Sequence, residues 1–139
     1  MCAHLFSFAN PPRSNDQVSV MNQVILSACV DVLVVEDDPN WVFFYRKIFE
    51  RLGIACEVAM TIEDAEQKLD TGLFRYILCD GTGWDSVIRR SLDLGCTVVI
   101  QSGDPESFDI YGVVTIGKIQ GANAVVEAFL TVTGLRQTA

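Results

Sequence analysis

The stretch RYILCDGTGW, Arg75 to Trp84, poses the question on which the fold turns. Tyr76, Ile77, Leu78 and Cys79 read as a buried strand. It ends on a lone carboxylate, Asp80, followed by Gly81, Thr82 and Gly83. One account is a strand that stops at a solvated loop, with aspartate as an ordinary loop starter. The sharper account is an acid held at the carboxyl edge of a parallel sheet, where open α/β folds build their ligand sites. What lies at the ends of the other strands separates the two.

Working outward, strands and helices alternate from Asp31 onward. VLVV (Val32 to Val35) is a β-branched-rich run, as expected for a strand covered on both faces. It ends in EDDPN, where Asp38 can cap a helix that starts at Pro39, since proline's missing N–H is no loss there. That helix, PNWVFFYRKIFERL, stops at Gly53. IACEVA (Ile54 to Ala59) is the second strand, and Thr61 with Asp64 resembles a capping box for a helix that fades at Asp70 to Gly72. After the opening stretch come a helix, WDSVIRRSLDL, closed by Gly95, and a fourth strand, TVVIQ (Thr97 to Gln101). The fifth strand is GVVTI (Gly112 to Ile116), and ANAVVEAFLTV (Ala122 to Val132) is a last amphipathic helix before Gly134. Five strand–helix units call for a parallel sheet with helices on both faces.

Bulk properties narrow the function. The 139 residues suit one domain with a real core, and half of them are hydrophobic. A net charge of −8 argues against direct nucleic-acid binding, because such a surface repels phosphate backbones. None of the five cysteines forms a CxxC pair, so they read as reduced, mostly buried thiols of a cytoplasmic protein. The single histidine, His4, argues against Ser-His-Asp or Cys-His catalysis. No stretch is apolar and long enough for membrane insertion. LSAC (Leu26 to Cys29) looks like a lipoprotein cleavage box but lacks the flanking basic and apolar regions. Residues 1–30 form an N-terminal extension ahead of a domain at 31–139. Val18, Met21, Ile25 and Ala28 fall at helical spacing there, behind Ser14 as candidate cap, so the extension is a short helix or a flexible tail.

The strand ends gather chemistry. Strand one ends in Glu36 and Asp37, strand three in Asp80, strand four in Ser102, and Lys118 follows strand five. A parallel sheet brings all of these to one edge. Three carboxylates repel one another unless a cation sits among them, and oxygen-only ligands favour a hard cation such as Mg²⁺. A lysine and a hydroxyl nearby then suit an anionic group, which is the apparatus of phosphoryl transfer onto a carboxylate.

VLVVEDDP, YILCD, VVIQSG and IGK, in this order, resemble the receiver domain of two-component response regulators over about residues 31–134. The resemblance implies a flavodoxin-like, doubly wound, five-stranded parallel sheet in the order 2-1-3-4-5. It implies Asp80 as phosphoacceptor and Mg²⁺ bound by Asp37 directly, by Glu36 through water, by Asp80, and by the backbone carbonyl of Thr82. Ser102 and Lys118 would contact the phosphoryl group, and Gly103 matches the small residue the family places after its hydroxyl. The implied role is a single-domain signalling receiver rather than an enzyme. It would take its phosphoryl group from a histidine kinase or phosphotransfer protein and act through a downstream protein target.

The chain departs from the family in three places. The loop after Asp80 lacks the usual Met-Pro pair. Lys118 precedes Ile119 rather than proline, so a trans peptide is expected. The switch aromatic of strand five is replaced by Thr115. In addition, about ten residues join strands four and five, near the minimum for a crossover, so a shortened fourth helix of one or two turns starting at Asp104–Pro105 is expected. These departures keep a second reading open: a degenerate receiver that acts as a phosphorylation-independent interaction module. A haloacid-dehalogenase-type phosphatase, suggested by CDGTG, fails because the required nucleophilic aspartate is replaced by Leu78.

Overall fold

The computed structural model describes residues 31–105 and 112–135. The expected helix or tail at residues 1–30 lies outside the described residues, as does the centre of the crossover with Phe108 and Tyr111. The element order is β1 (Val32–Val35), α1 (Pro39–Arg51), β2 (Cys56–Ala59), α2 (Ile62–Asp70), β3 (Tyr76–Asp80), α3 (Asp85–Asp93), β4 (Thr97–Ser102), β5 (Thr115–Gly117) and α4 (Ala122–Thr133). A 3₁₀ turn, Lys118–Gln120, joins β5 to α4. The five strands form one parallel sheet in the order β2-β1-β3-β4-β5.

Period-two alternation along β1 shows why both faces must be covered. Leu33 and Val35 join one buried cluster with Ile77, Cys79, Val98, Ile100 and residues of α2 and α3. Val32 and Val34 join the other with Leu78, Val99 and residues of α1 and α4. Phe49 of α1 meets Phe129 of α4 edge to face, with centroids 5.9 Å apart, and locks the two helices of that layer together.

Local chemistry sets the helix ends. The Asp38 carboxylate accepts from the Asn40 N–H at 2.8 Å, and Pro39 opens α1. Thr61 Oγ1 accepts from the Asp64 N–H at 3.1 Å ahead of α2. Two boundaries differ from the sequence reading. β2 starts at Cys56 rather than Ile54, because only Cys56 to Ala59 pair with β1, while the Ile54 N–H still closes onto Phe49 O at the end of α1. β5 is Thr115–Gly117 rather than Gly112 to Ile116, because its register with β4 begins at the Ile100–Thr115 pair. Among the described residues, no α-helix occupies the two ends of the β4–β5 crossover.

Burial pushes the Cys79 thiol well above its ordinary value, and Asp80 and Glu36 add to the shift. Burial likewise raises the Tyr45 phenol, again helped by Glu36 and Asp80. Both shifts favour the protonated form in the folded chain. Their stabilising contribution is therefore fully present below the ordinary values of 9.0 and 10.0, and is lost as pH rises past them. Urea unfolding is expected to show stability that is flat near neutrality and falls on the alkaline side. A Cys79→Ser variant should lose part of that alkaline slope; an unchanged slope would remove Cys79 as a contributor.

Candidate functional site at the carboxyl edge of the sheet

The opening stretch resolves into a strand, a tight turn and a plug. Asp80 ends β3, and the Trp84 N–H returns to Gly81 O at 3.4 Å. The third residue of that turn, Gly83, has φ +84°, a conformation that strongly favours glycine. The turn lets Trp84, 4 % exposed, fold back into the core while Asp80 stays half-buried at the sheet edge. Flexible chain after the acid thus serves to hold the acid at the rim.

Glu36, Asp37 and Asp80 each offer a carboxylate oxygen, and these oxygens all lie within 4.8 Å of one another. Glu36 is buried, Asp80 half-buried and Asp37 exposed. The spacing suits one hard divalent cation held by the set, directly or through water. The all-oxygen donor set fits a hard divalent cation.

Lys118, set at the start of the 3₁₀ turn, reaches across the sheet edge to the acids. Its Nζ lies 2.6 Å from Glu36 Oε1 and 3.4 Å from Asp80 Oδ1, and stands 4.7 Å from the centroid of the Trp41 ring. The lysine is thus paired with the acids rather than poised apart from them, and it offsets part of their mutual repulsion. Asp80 Oδ1 also accepts from the Gly81 N–H at 2.9 Å, while Oδ2 has no hydrogen-bond partner among the described residues. No cis peptide occurs among the described residues, so the Lys118–Ile119 bond is trans as expected.

Ser102 is buried at the end of β4, with Oγ accepting from the Asp104 N–H at 3.0 Å. Thr82 is exposed at the tip of the turn after Asp80. Among the described residues, neither side chain bonds to the acid cluster. A Cβ added at Gly103 would meet nothing within 4 Å, so the space beside Ser102 is open. The Thr115 hydroxyl is buried without a hydrogen-bond partner among the described residues.

Three neighbours of the acids were not singled out from sequence. Trp41, on α1, sets its ring beneath the Lys118 ammonium. Gln101, fully buried, donates from Nε2 to Glu36 Oε1 at 3.3 Å, and the Tyr45 hydroxyl donates to Gln101 Oε1 at 3.0 Å. A fully polar side chain at the end of an otherwise apolar strand was the available signal for Gln101. Tyr45 carried none, being one apolar-face position of α1 among several.

No family model matches the chain, and no curated protein matches it. Solved structures do. The receiver domain of Francisella response regulator 1452 is 21% identical with a TM-score of 0.60, the match covering 71% of this chain and 92% of that one. A CheY-like response regulator receiver domain from Methanospirillum hungatei is 19% identical with a TM-score of 0.63, covering 73% and 90%. A de novo designed Rossmann 2x3 fold protein is 23% identical with a TM-score of 0.64, covering 78% and 96%. The chain therefore has the flavodoxin-like, doubly wound fold of CheY-like receiver domains. A designed protein among the neighbours underlines that the fold alone carries no activity. Among the described residues, no helix is long and apolar enough to cross a membrane.

Relieving repulsion at the exposed acid gives a test of the cluster. Asp37→Asn removes one of three crowded charges and one oxygen ligand. It is expected to stay folded, at equal or slightly higher stability, and to lose Mg²⁺ binding in calorimetry. Undiminished Mg²⁺ affinity would take Asp37 out of the site.

Proposed function

We propose that this protein is a phosphorylatable receiver of a two-component pathway, acting in the cytoplasm and passing its signal to a protein partner. One observation carries the reading: three carboxylates at the ends of two adjacent strands, joined by a lysine from the turn after β5, at the carboxyl edge of a receiver-type sheet. The phosphodonor would be a histidine kinase or a phosphotransfer protein.

A carboxylate oxygen of Asp80 attacks phosphorus, the bond from phosphorus to the donor's leaving group breaks, and an acyl phosphate forms. Of the two oxygens, Oδ2 carries no hydrogen bond among the described residues. Glu36, Asp37, Asp80 and the Thr82 carbonyl would hold Mg²⁺, which when bound supplies positive charge to the transferring phosphoryl oxygens. The Lys118 ammonium is near enough to Asp80 to move onto those oxygens. Ser102 presents a hydroxyl on the adjacent strand, and the open space at Gly103 leaves the approach clear.

A second reading is favoured by two observations: Lys118 already pairs with two of the acids, and Thr115 stands where the family has its switch aromatic. On that reading the domain is an interaction module that needs no phosphorylation. Incubation with a small phosphodonor and Mg²⁺, read by intact mass, decides between them. A single adduct lost on chelation supports the receiver. An unchanged mass, under conditions that modify a known receiver, supports the module.

A further inference from the structure

We infer that Gln101 is a positioning residue that holds Glu36, and through it Lys118, in the geometry of the acid site. The inference rests on the receiver reading for its metal-binding arm only. Glu36 is 1 % exposed, and its two oxygens have separate partners. Oε2 accepts from the Asp38 N–H at 3.1 Å. Oε1 accepts from Lys118 Nζ at 2.6 Å and from Gln101 Nε2 at 3.3 Å.

The polarity of this chain is determined by elementary donor and acceptor rules. A carboxylate only accepts, so the amide must turn its NH₂ group toward Glu36. The amide oxygen then faces Tyr45, whose hydroxyl donates to it at 3.0 Å. Tyr45 and Gln101 are both fully buried, so no water competes for these groups. The amide cannot flip without setting its carbonyl against the carboxylate. Tyr45 thereby fixes Gln101, Gln101 fixes Oε1, and Oε1 fixes the ammonium, which lies over the Trp41 ring.

The core would accept an apolar residue here more readily. Gln101 lies on β4 directly opposite Asp80 of β3, at the point where the strand leaves the core for the site. A partner that orients a metal-ligating carboxylate typically matters about 10- to 100-fold in metal affinity.

The test compares wild type, Gln101→Met and Tyr45→Phe, with folding checked by circular dichroism. Gln101→Met keeps the length of the side chain and removes both hydrogen bonds. In calorimetry with Mg²⁺ alone, Gln101→Met is expected to bind about ten-fold more weakly and Tyr45→Phe less severely. The double variant should be no worse than Gln101→Met, because Tyr45 acts only through the amide. A lower melting temperature with unchanged Mg²⁺ affinity would overturn the inference and leave Gln101 a structural residue. A second readout needs no metal: Trp41 emission in a Trp84→Phe background should shift in the metal-free Gln101→Met variant as the ammonium leaves the ring. If wild type binds no Mg²⁺, the receiver reading fails and this emission alone decides the positioning role. Unchanged emission would then overturn it. If Gln101→Met fails to fold, Tyr45→Phe carries both readouts with the same expected directions.

Discussion

Asp80→Asn is expected to abolish the phosphoryl adduct completely, whereas wild-type protein gains one adduct with a small phosphodonor and Mg²⁺. The substitution is nearly isosteric. It removes the nucleophilic carboxylate, keeps an acceptor for the Gly81 N–H, and lowers the charge crowded beside Glu36 and Asp37. Lys118 retains its shorter contact, to Glu36 at 2.6 Å. Stability should therefore change by no more than about 1 kcal/mol, the range for a site whose packing is kept. Retained stability together with a lost adduct separates chemistry from folding. If Asp80→Asn still gains an adduct, the nucleophile lies elsewhere, and digestion followed by mass analysis would show whether Glu36 or Asp37 has taken it.

The sheet was legible because its signals are local and repeated. Val32 to Val35 is apolar at every position, which only a strand covered on both faces explains, and the structure buries all four. Asp38–Pro39 and Thr61 announce helix starts through hydrogen bonds made within two or three residues. The edges were less legible. A strand's limits depend on which neighbour it pairs with, and nothing within GVVTI tells that pairing with β4 begins only at Thr115.

The acids were legible for a related reason. In a parallel sheet every strand ends on the same edge, so order along the chain predicts a cluster, and Glu36, Asp37 and Asp80 do converge. What sequence could not give was the direction of side chains across that edge. Lys118 reads equally well as a surface lysine or as a phosphoryl ligand. Its actual place, between Glu36, Asp80 and the Trp41 ring, depends on a turn of three residues after β5. Gln101 and Tyr45 are 56 positions apart, so their bond is a product of packing α1 on the same face of the sheet and has no local signature.

The ion pair at the rim leads to the second large effect, in Lys118→Met. Methionine preserves the aliphatic stem and removes the ammonium. Glu36, 1 % exposed, then keeps the Gln101 amide and the Asp38 N–H but loses its only charged partner among the described residues, with two further carboxylates close by. Breaking a buried ion pair from one side costs about 3 to 5 kcal/mol. The Lys118 and Asp80 side chains keep 15% and 16% exposure, so water screens part of the charge and the cost should sit near the lower end, about 3 kcal/mol. Adduct formation should also slow, by about a hundred-fold, as for other groups aimed at developing charge. Mg²⁺ then distinguishes a site lysine from a merely structural one. If the acids share a cation, the ion replaces the missing ammonium, and Mg²⁺ should stabilise Lys118→Met more than it stabilises wild type in paired urea titrations. A variant within about 0.5 kcal/mol of wild type would show that the rim pair contributes little to folding. A destabilised variant that Mg²⁺ does not rescue would show that Glu36, Asp37 and Asp80 do not hold a common ion.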